Sequence, residues 1–348
     1  MKILGNPDWT HPLVRTKNAA TEPARRGLAR LRRWVPKTPA ESETEQRETI
    51  RLAGDKPGQR RLVYKISRPQ SETHNNLLYT PQGMSVLGGK IIERLSVRTP
   101  SLREILTTPR RAAREIAQGT IIEAETPYTY GDWVGDFTCS LVTAEEIIEP
   151  LVLPPFLAEK PYVMRDIGAL GLSYVTADAP VLIEKAHVLR KRIPSYYWGG
   201  QEVAAFRKAF KISPPPTTPG SIIYLGRFET VSESVQRKYP TQMTANIIED
   251  IGGRVFDARE ASPTKFNEIA KETQSVIADQ GSALFGVMHW QTKNVIELTR
   301  RDWWHSANLF IAKGAGVENY AVIAVDGLDE DALRARIVEH LKAFRVLS

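Results

Sequence analysis

Residues 275–298 read SVIADQGSALFGVMHWQTKNVIEL. An apolar run breaks at the small-residue bend DQGS, resumes in SALFGVMHW, and returns in NVIEL. Short apolar runs bounded by turn residues suit buried strands, and the segment between them suits a short helix. Packing does not require Asp279, Gln280, Gly281 and Ser282 at the bend, or Glu297 near the end; a ligand would. In an open parallel sheet, ligands sit beyond the carboxyl ends of the strands, where helix N-termini point. Residues 279–283 occupy such an edge. Gly281 permits close backbone approach, Ser282 and Ala283 are small, and the free N–H groups of the following first turn form an anion site. The same bend also reads as a tight strand-to-helix turn in which Asp279 or Ser282 caps the helix.

Outward from this unit the alternation continues. SIIYLGR (221–227) is a strand, 241–251 a helix stopped by Gly252-Gly253, and RVFDA the next strand. SPTKFNEIAKET follows as a helix with Ser262 as N-cap. DEDALRARIVEHLKAF is a final helix with Leu333, Ile337, Leu341 and Phe344 along one stripe. Strands and helices at this short spacing predict a parallel sheet wound in the Rossmann manner. Upstream, KISPPPTTPG (211–220) is a proline-stiffened linker, which sets a boundary there.

Before the linker, RLVYKIS, NLLYTPQGMSVLGGKIIERLSV, TIIEA, LVLPP and VLIEKAHVLR read as strands, with His187 structural in the last. SLREILTTPRRAAREIAQ (101–118) has helical spacing with Ser101 as N-cap. A second helix starts near Asp132, and KPYVMRDIGALGL is a third with a glycine stop. The expected organisation is an arm over 1–60, an α/β domain over 61–212 and a Rossmann-like domain over 213–348.

The chain has 348 residues, 42% hydrophobic and 25% charged, with a formal net charge of +7 and one cysteine, Cys139. That length predicts two domains, and the lone cysteine excludes an intramolecular disulfide. No stretch reaches the roughly 18 apolar residues that span a bilayer, and the start lacks a secretory core, so a cytoplasmic protein is expected. The positive charge implies an anionic partner. Residues 24–37, ARRGLARLRRWVPK, form a short basic amphipathic segment suited to an anionic membrane surface, or a disordered basic arm. Nucleic acid would use the same arginines, but no recognition motif accompanies them.

GRFETVSESVQRKYP (226–240) places Arg227 and Arg237 around a polar loop at the end of the first strand after the linker. Arginines there supply the fixed charge and bidentate donors that a diphosphate requires, or pair with Glu229 and Glu233. Glu297 is positioned to accept from a ribose or sugar hydroxyl, or to pair with Arg300 or Arg301. His289 and Trp290 suit packing, and DWWH (302–305) a stacking or plugging loop.

IIYLGR, VQRKYPTQ, VIADQGSALFGVMHW and NVIEL, together with TYGDWVGDF (129–137), resemble the catalytic region of glycosyltransferase family 61 over roughly residues 75–325. That family includes bacterial capsular-polysaccharide enzymes and eukaryotic xylosyl- and N-acetylglucosaminyltransferases. Asp132 stands where the family usually has His before Trp, Gln280 where it has His before Gly, and Thr241-Gln242 where it has Asn-Glu. The resemblance implies two Rossmann-like domains in a GT-B-type architecture, a nucleotide-sugar donor held by the C-terminal domain, and inversion at the anomeric carbon. Its product would extend a surface or capsular polysaccharide, or a lipid-linked glycan, at the cytoplasmic membrane face. Arg227, Arg237 and 281–283 would bear the phosphate charge. No Asp-x-Asp motif is present to hold a divalent ion, which fits metal-independent transfer with no cofactor. Asp132 and Asp136, four apart at a helix start, would share one face and offer a base, with Asp132 preferred from the signature; both also suit the helix macrodipole. A catalytically inactive glycan-binding relative and a nucleic-acid-binding protein are the competing expectations.

Overall fold

The strand Thr273–Asp279 lies inside a six-stranded sheet whose order is Lys2–Gly5, Asn319–Ala324, Asn294–Thr299, Thr273–Asp279, Thr218–Gly226, Arg254–Asp257. All its pairings are parallel. These contacts come from a computed structural model, which describes residues 2–5, 46–50, 61–66, 69–81, 85–87, 90–93, 96–98, 114–123, 130–191, 199–228, 239–258, 263–300 and 307–348.

Side chains alternate between two covered faces, as parallel strands require. Ile222, Tyr224, Ile277, Ile296, Leu298, Ala321 and Ile323 pack under the helices Thr241–Asp250 and Glu330–Ala343. Ile223, Leu225, Val276, Ala278, Val295 and Val322 face the other way, toward Pro263–Ala270, the 3-10 helix Ser282–His289 and Ala307–Gly314. The last helix is capped by Asp329, which accepts from the Ala332 N–H at 2.8 Å, and the expected stripe of Leu333, Ile337, Leu341 and Phe344 is buried. After the linker the strands run spatially as second, first, third, fourth, fifth. The order reverses between Thr218–Gly226 and Thr273–Asp279, which makes their carboxyl ends the topological switch point.

The first half differs from the doubly wound sheet expected of it. Its eight-stranded sheet runs Tyr174–Thr176, Leu151–Leu153, Arg114–Glu123, Val181–Lys191, Pro69–Tyr79, Ser85–Leu87, Lys90–Glu93, Ser96–Arg98. The first four are parallel; from Pro69–Tyr79 onward every pairing is antiparallel. Antiparallel neighbours need only tight turns, so the Gly-containing turns after Tyr79 build a meander in place of strand–helix–strand crossovers. Arg114–Gln118 belongs to a strand and not to the helix expected over 101–118, because Val181–Lys191 pairs along its whole length; residues 101–113 lie outside the described set. The helix Pro161–Leu170 ends as expected, at Gly171 with φ 69°.

Two features cut across the expected division. Lys2–Gly5 pairs with Asn319–Ala324, and Gln46–Ile50 pairs with Arg61–Ile66 across the boundary at residue 60. One apolar cluster also joins Trp133, Phe137, Val163 and Phe206 of the first half to Leu225, Phe285 and Phe310 of the second. The linker thus connects two sheets over a shared core. Among the described residues no helix is long and apolar enough to cross a membrane.

Candidate functional site

The switch point is tied together by Asp279. Its Oδ1 accepts from the Tyr224 hydroxyl at 2.8 Å, and its Oδ2 accepts from the Arg227 backbone N–H at 2.8 Å and the Thr241 hydroxyl at 3.1 Å. Burial pushes its pKa up to about 6 against the opposing pull of those donors. Asp279 was expected to contact a ligand. Its oxygens accept from three internal donors, so it forms a buried floor beneath the strand edge. Thr241, expected to stand in for a family Asn, is part of that floor, and the Gln242 amide turns outward to Asn246 Oδ1 at 2.9 Å.

Above the floor, the Arg227 side chain crosses Gly281. A methyl group placed on Gly281 would lie 3.2 Å from Arg227 Nη1 and 3.8 Å from Cζ. Glycine leaves room for this close approach, and its φ of 164° is ordinary extended backbone. The 3-10 helix Ser282–His289 starts at once, with Leu284 N–H donating to Gly281 O at 3.3 Å. Against this start sits the first turn from the other half. A methyl on Gly131 would meet Ser282 Oγ at 3.0 Å and the Phe285 ring at 3.6 Å. The segments TYGDW and DQGSA, about 150 residues apart, are thus in direct contact, and Asp132, 8% exposed, lies beside the seam.

Asp132 and Asp136 lie in different helical geometries. Tyr130–Asp132 runs into a π-helical turn, Trp133–Thr138, before α-geometry resumes at Cys139–Thr143. The Asp136 side chain, Arg237 and the 302–305 loop lie outside the described residues, as does the basic segment 24–37.

The π turn is pinned from beneath. Trp133 Nε1–H donates to Asp166 Oδ2 at 2.9 Å, and Arg165 donates to Asp166 Oδ1 at 2.6 and 2.9 Å. Burial raises the Asp166 pKa. Trp290 Nε1–H donates to Asn267 Oδ1 at 3.1 Å, as an indole buried in packing requires. Arg207 closes the far end, donating to Met288 O and Trp290 O at 2.9 Å each and to Ala315 O at 3.2 Å. His289 packs edge-on against Phe206. Burial, aided by Arg165 and Arg207, lowers its pKa to about 4, so it is neutral at neutral pH.

Glu297, near the end of the next strand, is held by side chains of the fold. It is 0% exposed; Oε1 accepts from the Asn308 amide at 2.6 Å and Oε2 from the Tyr320 hydroxyl at 2.9 Å. Arg300 pairs with Asp326. Two strands in parallel register place Glu297 beside Ala278, and Thr299 beyond it donates to Gln280 Oε1 at 2.7 Å. Ala283 lies in the first turn of the 3-10 helix, half-buried.

Tyr224, Asp166, Asn267, Thr299 and Asn308 were not singled out from the sequence. The one legible signal was Tyr224, whose hydroxyl inside an apolar strand needs a buried partner. Among the described residues no group of three or more His, Cys, Asp or Glu comes together in a way that could hold a metal ion.

No protein-family model matches the chain, and no curated protein matches it in sequence. Among solved structures it is similar to a mutant flavo di-iron protein from Thermotoga maritima, at 10% identity and a TM-score of 0.28, over 76% of this chain and 60% of that one. The α/β class, carried by two sheets, is what the structure itself establishes.

Proposed function

We propose that the protein is an inverting glycosyltransferase that moves a sugar from a nucleotide-sugar donor to a surface polysaccharide or related glycan. The observation that carries this reading is the Arg227 guanidinium lying over Gly281 at the switch point. Fixed positive charge lies there, at the strand edge where a doubly wound sheet receives its ligand.

The chemistry asks little more of the protein. As the anomeric C–O bond to the β-phosphate breaks, its electron pair leaves with the nucleoside diphosphate, whose charge Arg227 neutralises. The acceptor hydroxyl attacks the opposite face and gives its proton to a carboxylate. Asp132, next in the chain to Gly131 at the Ser282 seam, is the carboxylate we assign that role.

Calorimetric titration with UDP, GDP, CDP and their common sugar conjugates tests the reading. At least one nucleoside diphosphate is expected to bind the intact protein. Arg227→Ala should weaken that binding by roughly ten- to a hundredfold, the worth of a charged hydrogen bond. Asp132→Asn should leave binding in place while abolishing transfer. Wild-type affinity in Arg227→Ala would overturn the assignment.

A further inference from the structure

The backbone of Arg227 is held from two sides. Its N–H donates to Asp279 Oδ2 at 2.8 Å, and its C=O accepts from the Thr241 hydroxyl at 3.2 Å. The single Thr241 proton is shared, because the same hydroxyl lies 3.1 Å from Asp279 Oδ2. Tyr224 donates to the other Asp279 oxygen at 2.8 Å. Asp279 and Thr241 are both buried, which strengthens these bonds by shielding them from water. Gly226 makes the arrangement possible. A methyl group there would lie 2.7 Å from Thr241 Cγ2, 2.8 Å from the Tyr224 ring and 3.0 Å from the Phe228 ring. Thr241 opens the helix Thr241–Asp250, yet its hydroxyl turns back to Arg227 and Asp279. The N-cap is Pro240, without a side-chain cap bond, so capping does not account for that hydroxyl.

The ligand side of Arg227 is left open. The residue is half-buried, and every hydrogen bond it makes among the described residues runs through its backbone. Its guanidinium reaches the Gly281 bend. That bend is fixed as well: Gln280 N–H donates to Leu298 O at 2.8 Å, and Gln280 Oε1 accepts from Thr299 at 2.7 Å. We propose that Thr241 and Asp279 are positioning residues of the anion site, clasping the Arg227 backbone on both sides so that its guanidinium is delivered to a phosphate at the Gly281 bend. The proposal rests on the transferase reading for the identity of that phosphate. An arginine on a loose strand end would lose its backbone freedom when the ligand arrives; the clasp removes that cost beforehand. Thr241 and Asp279 act through Arg227, and neither touches the ligand.

The test reads affinity in the full chain, with inorganic pyrophosphate and the best-binding nucleoside diphosphate as probes. Thr241→Val, Thr241→Ser, Arg227→Ala and the double variant Arg227→Ala with Thr241→Val are titrated beside wild type, after melting confirms that each is folded. Thr241→Val keeps the shape against Gly226 and removes the hydroxyl. It should weaken both probes by roughly five- to thirtyfold, the worth of one residue's backbone freedom. Thr241→Ser restores the hydroxyl and should recover most of that affinity. In the Arg227→Ala background Thr241→Val should weaken binding no further, an outcome that a merely structural role would not produce. Wild-type affinity in Thr241→Val, or an equal loss with and without the arginine side chain, overturns the clasp. Should Thr241→Val fail to fold, Tyr224→Phe loosens Asp279 at its other oxygen and carries the same comparison to the same two outcomes. Pyrophosphate binding that follows this pattern, with no nucleoside diphosphate bound, sinks the transferase reading and leaves the clasp standing. A wild type that binds neither probe overturns both.

Discussion

Arg227 and Gly281 occupy one space: the guanidinium Nη1 lies 3.2 Å from where a Gly281 side chain would begin. The bend can carry no Cβ without moving the arginine. Gly281→Ala should therefore fold, since the obstructing atom is the free end of a flexible side chain. Nucleoside diphosphate affinity should nevertheless fall by about tenfold or more as the guanidinium is displaced. Titration of the variant beside Arg227→Ala checks this; an alanine variant that binds as wild type would place the arginine outside the site.

Asp279 makes the buried end of its strand sensitive to pH. Its folded-state pKa of about 6 exceeds the ordinary carboxylate value, so the unfolded chain loses its proton first as pH rises. Its contribution is greatest at low pH and declines between about pH 4 and 6, by roughly 3 kcal/mol. Asp279→Asn abolishes the titration. The stability of wild type relative to this variant should consequently fall across that window and be flat above it. Denaturant unfolding at several pH values measures the difference; a gap that widens with pH would mean that the three donors outweigh burial.

His289 acts in the opposite sense. Its pKa of about 4 lies below the ordinary imidazole value. The unfolded chain takes up a proton near pH 6.5 while the folded chain refuses it, so stability should drop as pH falls from about 6.5 toward 4. In NMR the His289 ring resonances should stay those of neutral imidazole to about pH 4. His289→Phe should remove this part of the acid sensitivity.

Arg207 serves three backbone carbonyls at the ends of two elements. Its planar fork reaches Met288, Trp290 and Ala315 together, which a lysine ammonium cannot reproduce. Arg207→Lys should destabilise the protein by about 1–3 kcal/mol and Arg207→Ala by more, since the latter leaves buried carbonyl groups unpaired. Thermal and urea unfolding give the ranking; equal stability of the two variants would show that only the charge matters.

How much of this was legible from the chain depends on how local each cause is. Parallel strands buried on two faces must be short apolar runs between helices, so SIIYLG, RVFD, SVIAD and NVIEL were readable, as was the capped helix Glu330–Ala343. The strand Asn319–Ala324 and the helix Ala307–Gly314 were overlooked, although NYAVIA is an apolar run of the same kind. Arg114–Gln118 carries helical spacing, yet its strand is settled by Val181–Lys191, far away in sequence.

By itself the sequence determined the α/β class, the winding of the second sheet and the polar bend at 279–282, because periodicity and turn chemistry act over a few residues. Only the tertiary structure decided what those polar groups face. Asp279 and Glu297 look alike as acids at strand ends, but one turns to Tyr224 and Thr241 and the other to Asn308 and Tyr320. A hydrogen bond is made to whatever the fold brings within about 3 Å, and no local pattern of residues records that neighbour.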